Sequence, residues 1–419
     1  MAGGSSRGGS GSSGKKKKKA KPLSKDPVRL AAAVLTLSKW ASPKMPCLNL
    51  SLPKMDLHTH STCSDGRLSP TDLVLRAHRN GVNVLALTDH DTMEGVPVAL
   101  KVARDLGMRL IPGVEISAKF ASTSQLQRGE EENVHILAYF SCCGPAHPEE
   151  LEACLNKIRE GRYTRAKRMV QKLKALNKPV KWESVLDIAG DGVAPCRPHV
   201  ARALLEAGHV DTIGEAFTRF LRDSGPAYVA GAEQPAEEVV RLIHRTGGIA
   251  VLAHPWSLKN PSPLIDRLKD AGLDGMEVYR SGGKDPAWVT CAGNLLKVGG
   301  SDYHASGAVE ETDVGGIALP AGTMLQFLTT AQPIWISALR VILEEFAQSD
   351  LETVLSASLS WKGDITIRKL EKEVLLILSP LLDGEEERAL VQNEALRLGL
   401  SHSIVREQGF DCCAVSRQL

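Results

Sequence analysis

Several things are scarce in this 419-residue chain, and each scarcity narrows its function. No apolar run approaches the roughly 18–20 residues that a helix needs to cross a bilayer, so no membrane span is expected. The first residues lack the apolar stretch of a secretory signal, which points to an intracellular protein of the cytoplasm or nucleus. No Cys-x-x-Cys pair occurs among the nine cysteines. Zinc knuckles and disulfide frameworks are therefore not expected, and the adjacent pairs Cys142–Cys143 and Cys412–Cys413 read as reduced thiols. Basic charge is scarce beyond residue 26. The first 26 residues carry Arg7 and seven lysines against Asp26, yet the whole chain is only +2. The remainder is mildly acidic, which argues against a duplex-DNA surface. Any affinity for nucleic acid has to come from a local site.

What is present is the balance of a soluble globular protein, 43% hydrophobic and 24% charged,. Residues 1–26 read as a disordered Gly/Ser/Lys-rich tail. Their Lys15–Lys19 run suits a nuclear signal, an RNA-touching arm or a plain solubilising tail. Residues 27–53 read as a leader helix, from the helical spacing over 27–41, and a linker. From Lys54 short apolar runs alternate with helical segments. Seven strands are expected, in MDLHTH, VNVLALT, RLIPGVEIS, VHILAYF, IAVLAHP, DGMEVY and LKVGGSD. Ser69, Pro70 and Asp72 make an N-cap signature for the first helix. Alternation of this kind implies parallel strands with crossover helices, so the fold class is α/β, a distorted (β/α)7 barrel over 54–330. Residues 149–230 show no strand and read as a helical insertion over the barrel mouth. Residues 331–419 read as a small C-terminal helical or α+β extension, dispensable for turnover of a small nucleotide.

The histidines are not scattered. His58 and His60 form an H-x-H in which both imidazoles share one strand face. Asp65 follows in a tight S-x-x-S-D-G loop, Asp89–His90 closes the second strand, Glu115 ends the third, His135 lies within the fourth, and Asp302-x-His304 ends the last. Chemistry in a β/α barrel sits at the C-terminal strand ends. This many ionisable groups in one barrel mouth is very costly without a cation. The donor types suit Mn, Zn or Fe rather than Ca, and structural zinc is disfavoured because closed structural sites favour cysteine. His78, His147, His209, His244 and His402 read as structural or surface residues.

The stretches DLHTHSTCSDG, ALTDHDT, PGVEIS, HILAYF, RPHVARAL, AHP and GGSDYH, spanning 56–304, resemble the PHP (polymerase and histidinol phosphatase) family of metal-dependent phosphoesterases. They are similar in particular to its 3′,5′-nucleoside bisphosphate phosphatase branch, some members of which trim short RNAs from the 5′ end. The resemblance implies a PHP barrel with a trinuclear centre of divalent metal ions, manganese first and zinc or iron admissible. His58, His60, Glu115 and Asp302 would hold the first ion. Glu115, His135 and His199 would hold the second, and Asp65, His90 and His304 the third. Three divalent ions against three carboxylates leave about three positive charges, a trap for a phosphate monoester, beside water acidified to a pKa near about 7. Arg197 and His254 are the candidate phosphate contacts and, with Asp302 and His304, the candidate catalytic residues. Asp89 is expected to orient a ligand rather than bind metal.

The expected substrate is a small phosphorylated nucleotide or a short RNA 5′ end, with hydrolysis of a phosphate monoester the first reading. Histidinol phosphate is the alternative within the same cradle, disfavoured by Asp65 and the R-P-H segment. A proofreading exonuclease lacks its polymerase module here. A non-catalytic RNA-binding barrel would have lost ligands, and all nine are present. Residues 385–403 resemble a single-strand-binding module named for an Arg-x-x-x-His motif, but Arg388 is matched by Gln392 and the pair is broken.

Overall fold

The computed structural model describes residues 52–419 except 122–130, 353–364, 371–372, 379–384, 408–409, 419 and single positions 224, 232, 260, 282, 285, 309 and 351. The expected tail and the expected leader helix over 27–41 lie outside the described residues. Seven strands order the barrel: β1 (Met55–Asp56), β2 (Val84–Leu87), β3 (Arg109–Phe120), β4 (Glu132–Tyr139), β5 (Ile249–Leu252), β6 (Gly275–Arg280) and β7 (Leu296–Gly299). They pair in chain order. Backbone bonds between the segments that follow β1 and β7, His60 N–H to Tyr303 O at 3.0 Å and Asp302 N–H to His58 O at 2.9 Å, tie the two ends together. The result is a nearly closed α/β barrel.

Contrary to what the alternation of strands and helices implied, the strands are not all parallel. β4 is antiparallel to both β3 and β5, while the other barrel pairs are parallel. Residues 121–131 are too few for the dozen-residue helical crossover a parallel pair needs, so the chain returns alongside β3. Glu115 also does not end its strand. β3 runs on to Phe120, and Ser117 pairs with His135. The reversal therefore sets His135 near the start of β4 beside the second half of β3.

Helices α1 (Pro70–Arg79) and α2 (Val96–Asp105) cover β1 to β3. The Ser69 side chain caps α1 by accepting the Asp72 N–H. Helices α3 (Pro148–Ala175), α4 (Trp182–Ala189) and α5 (Arg197–Glu206) lie between β4 and β5, followed by Ile213–Ala216 and a π-helical turn at Phe217–Leu221. They bury a core of their own around Met169, Leu173, Val200, Leu204 and Leu221.

The inner barrel core, including Met55, Val84, Ile111, Tyr139 and Val251, is closed by Phe327 and Trp335. Both belong to α6 (Ala321–Gln348), and the Trp335 indole donates to Tyr139 O at 3.2 Å. The boundary expected at 330 thus falls inside a continuous helix. The second half of α6, through Leu339, Ile342 and Phe346, packs instead under an antiparallel sheet ordered β8 (Thr366–Lys369), β9 (Glu373–Ile377), β11 (Phe410–Gln418), β10 (Ser401–Glu407). One helix serves two cores because its apolar face is continuous over both halves.

Candidate metal centre

Glu115 is the hub. Its carboxylate is buried, and each oxygen faces imidazole nitrogens. Oε2 lies 3.1 Å from His58 Nε2, 3.2 Å from His60 Nε2 and 3.2 Å from His90 Nδ1. Oε1 lies 2.8 Å from His135 Nδ1 and 2.9 Å from His254 Nε2. Asp302 Oδ1 stands 3.3 Å from His58 Nε2 and 3.2 Å from His60 Nε2. Asp65 adds the third side, with Oδ1 3.3 Å from His304 Nε2 and Oδ2 3.8 Å from His90 Nε2.

Local backbone explains how these groups converge. Glu115 N–H donates to Asp89 O and Asp91 N–H to Glu115 O, which locks His90 against the hub. Asp91, His254 and Asp302 hold positive φ angles of 54°, 26° and 52°, a conformation few non-glycine residues adopt,. Strain of that kind concentrates at functional sites. Gly300 is required because a Cβ there would sit 2.4 Å from His58 N.

Electrostatics keeps the acids ionised. Burial works to raise the Glu115 carboxyl, but His90, His135 and His58 outweigh it and hold it well below the usual range. Asp65 and Asp302 are likewise held well below it, against burial, by His90 and His304 and by His58 and His60. Burial drops His90 to about 3, against the pull of Glu115 and Asp65. His304 is pushed up to about 10, because Asp65 overcomes the cost of burial.

The donor set fits divalent cations. Three groups each bring ligand atoms within 4.8 Å of one another: His58, His60, Glu115, Asp302; His60, Asp65, His90, His304; and His90, Glu115, His135. His60 Nδ1 is buried without a hydrogen-bond partner, and His90 Nδ1 and Asp65 Oδ1, though close to Glu115 and His304, make no well-aligned hydrogen bond. Orphaned donors of this type want a cation or an ordered water.

His199 is the exception among the expected ligands. Its Nδ1 accepts the Cys196 N–H at 3.0 Å and so caps α5, and burial lowers its pKa to about 4. His254, expected to touch phosphate, takes the place beside Glu115 and His135 instead, 3.3 Å from His135 Nδ1. Arg197 lines a cavity of about 130 Å³ with His90 and His135, its Nη1 bonded to Asp223 Oδ1 at 2.7 Å. The hydrogen bonds of the Asp89 carboxylate go to the Ser61–Ser64 turn. The carboxylate accepts from Ser61 N, Ser61 Oγ and Ser64 Oγ, and thereby shapes the loop that presents Asp65.

Two residues escaped the sequence. Glu277 Oε1 faces His58 Nδ1 at 3.2 Å and Oε2 accepts the backbone N–H of His254 at 2.7 Å, so one carboxylate aims the His58 imidazole and pins the backbone that presents His254. Its only signal was a charge inside the apolar run DGMEVY. Arg162 on α3 is buried against Asp91, Nε to Oδ2 2.7 Å, and its Nη2 donates to Ser117 Oγ at 2.7 Å. It bolts the insertion to the rim of the centre.

Residues 56–247 match the PHP domain. A 5′-3′ exoribonuclease of Haemophilus influenzae is 37% identical over 67% of this chain and 98% of its own length. The chain belongs to the PHP family. A 3′,5′-nucleoside bisphosphate phosphatase of Chromobacterium violaceum is 33% identical over 61% of this chain and 89% of its own. Among solved structures, one described as an amidohydrolase from Chromobacterium violaceum with bound sulfate and no metal superposes with a TM-score of 0.56, at 33% identity over 64% of this chain and 92% of that one. The chain is a PHP-family phosphoesterase, a hydrolase. No helix among the described residues is long and apolar enough to cross a membrane.

Proposed function

We propose that this chain hydrolyses phosphate esters of nucleotides: the 3′-phosphate of a nucleoside 3′,5′-bisphosphate and the 5′-terminal linkage of a short RNA. The observation that carries this is the buried Glu115 carboxylate, met by ring nitrogens of five histidines within 3.2 Å. The names of the relatives, one an exoribonuclease and one a bisphosphate phosphatase, support the nucleotide as substrate class. A cavity of about 670 Å³ lined by Asp65, Asp302 and His304 has room for one,.

Three divalent cations, manganese first, would be held by His58, His60, Glu115 and Asp302, by Glu115, His135 and His254, and by Asp65, His90 and His304. Bound there, such cations acidify water and neutralise the phosphate oxygens. Glu115 is suited to bridge, since each of its oxygens faces a different set of histidines. Glu277 fixes the His58 ring so that Nε2 is the atom presented to the centre. Arg197 keeps N–H groups beyond the one bonded to Asp223, and these supply the phosphate contact. In the bisphosphate reaction water adds to phosphorus, the bond to the ribose 3′-oxygen breaks, and that oxygen takes the proton.

The test is product release with Mn²⁺ from adenosine 3′,5′-bisphosphate beside histidinol phosphate and a 5′-phosphorylated RNA oligomer. Faster turnover of the nucleotides is expected. Preference for histidinol phosphate, or no turnover of any of the three by metal-loaded protein, overturns the proposal.

A further inference from the structure

The cavity over Asp302 and His304 does not end at the centre. It adjoins a second cavity of about 580 Å³, and the two share Arg67, Arg202 and Ile213. Both arginines are tied to the loops of the centre: Arg67 N–H donates to His304 O at 2.9 Å, and Arg202 Nη2 donates to Asp65 O at 3.0 Å. The arginines around His90 and His135 are all neutralised, Arg162 by Asp91, Arg165 by Glu233 and Arg197 by Asp223. Arg67 and Arg202 differ. Among the described residues neither has a carboxylate within ion-pair distance. Both line the wall that the two cavities share, without a carboxylate in ion-pair contact, so an anion there would meet two guanidinium groups,.

We propose that Arg67 and Arg202 clamp a second phosphate of the substrate, the next one on the 3′ side of the phosphate at the metal centre. The outer cavity then receives the nucleoside beyond it. On this assignment, which rests on the phosphoesterase function proposed above, the site is built for the end of an oligonucleotide. The linings agree with that division. Ile188, Leu205 and Ile213 offer an apolar wall to a base, and Asp187 and Glu206 offer acceptors to base amino groups or ribose hydroxyls,. Those same carboxylates repel a further phosphate, so the clamp reads one phosphate and no more. In the inner cavity Glu311 is occupied by the N–H groups of His304 and Gly307, while Glu310 also lines the wall.

The experiment uses the full chain with Mn²⁺ and 5′-phosphorylated oligoadenylates of two, three and four nucleotides, with adenosine 3′,5′-bisphosphate alongside. Only from three nucleotides onward does the chain carry the phosphate that the clamp would hold. The expected result is a rise in kcat/KM of about tenfold or more from two to three nucleotides, the worth of a charge-assisted contact, and little further change at four. In the double variant Arg67→Met with Arg202→Met the three-to-two ratio falls to near one. The single variant Arg67→Met, at an exposed position, gives the same direction should the double variant fold poorly. A flat length profile in the wild type, or a rise that survives in both variants, overturns the clamp. Silence on all four substrates overturns the phosphoesterase function and the clamp with it, whereas turnover with a flat profile overturns the clamp alone.

Discussion

Replacing Arg162 by Met tests how the insertion is held to the barrel. The guanidinium is 5% exposed and Asp91 fully buried. Besides the Asp91 and Ser117 contacts, Arg162 Nη1 reaches Cys196 Sγ at 2.8 Å, next to Arg197. Methionine fills much of the same volume but leaves the Asp91 carboxylate buried without a counter-charge. Breaking one side of a buried pair costs about 3–5 kcal/mol. Asp91 keeps the Ser117 N–H at 2.6 Å and the Ser117 hydroxyl at 3.0 Å, so the lower end, about 3 kcal/mol, is expected,. For a domain of this size that is a drop in Tm of roughly 5 °C or more. The assay is thermal unfolding of wild type, Arg162→Met, and Arg162→Met combined with Asp91→Asn. The combined variant removes the orphaned charge and is expected to recover over half of the loss. A single variant within about 1 °C of wild type, or a combined variant no better than the single one, refutes the idea that an unpaired buried carboxylate is the cause.

Other consequences follow from the same geometry. His254→Ala is expected to lose one equivalent of bound Mn²⁺, whereas His199→Ala keeps the full complement; equal losses, read by metal analysis, would return His199 to the ligand set. Glu277→Gln weakens the orientation of His58 and raises the Mn²⁺ concentration for half-maximal activity roughly ten- to hundredfold; an unchanged midpoint removes Glu277 from that role. Truncation at residue 330 deletes Trp335 from the barrel floor and is expected to unfold the barrel, while truncation after Ser349 keeps that floor and retains bisphosphate turnover. Equal solubility and melting of the two truncations would contradict the role of α6 in closing the barrel.

Much of the site was legible because metal-ligand spacing is a local property. The His58-x-His60 pair, the Asp65 loop, Asp89–His90 and Asp302-x-His304 each lie within a few residues of a strand end, and alternation of strands and helices brings such ends together. The different surroundings of His254 and His199 were not legible. Both are histidines beside a proline, and only the fold reveals that the Nδ1 of His199 is spent on a helix cap. Glu277 and Arg162 were hidden for a related reason. Each looks like an ordinary charge in its own segment and gains its meaning from a partner more than 70 residues away. The reversed β4 and the helix crossing residue 330 were missed because periodicity reports which face is apolar, not which neighbour it meets.

The most direct test of the central claim is a titration of Mn²⁺ into chelator-treated protein, following both bound metal and release of phosphate from adenosine 3′,5′-bisphosphate. Three ligand sets, two of them sharing Glu115, predict no turnover before addition, then activity that climbs with occupancy and levels off near three equivalents. Full turnover in excess chelator, or metal bound to saturation with no turnover, would contradict a metal-dependent nucleotide phosphoesterase.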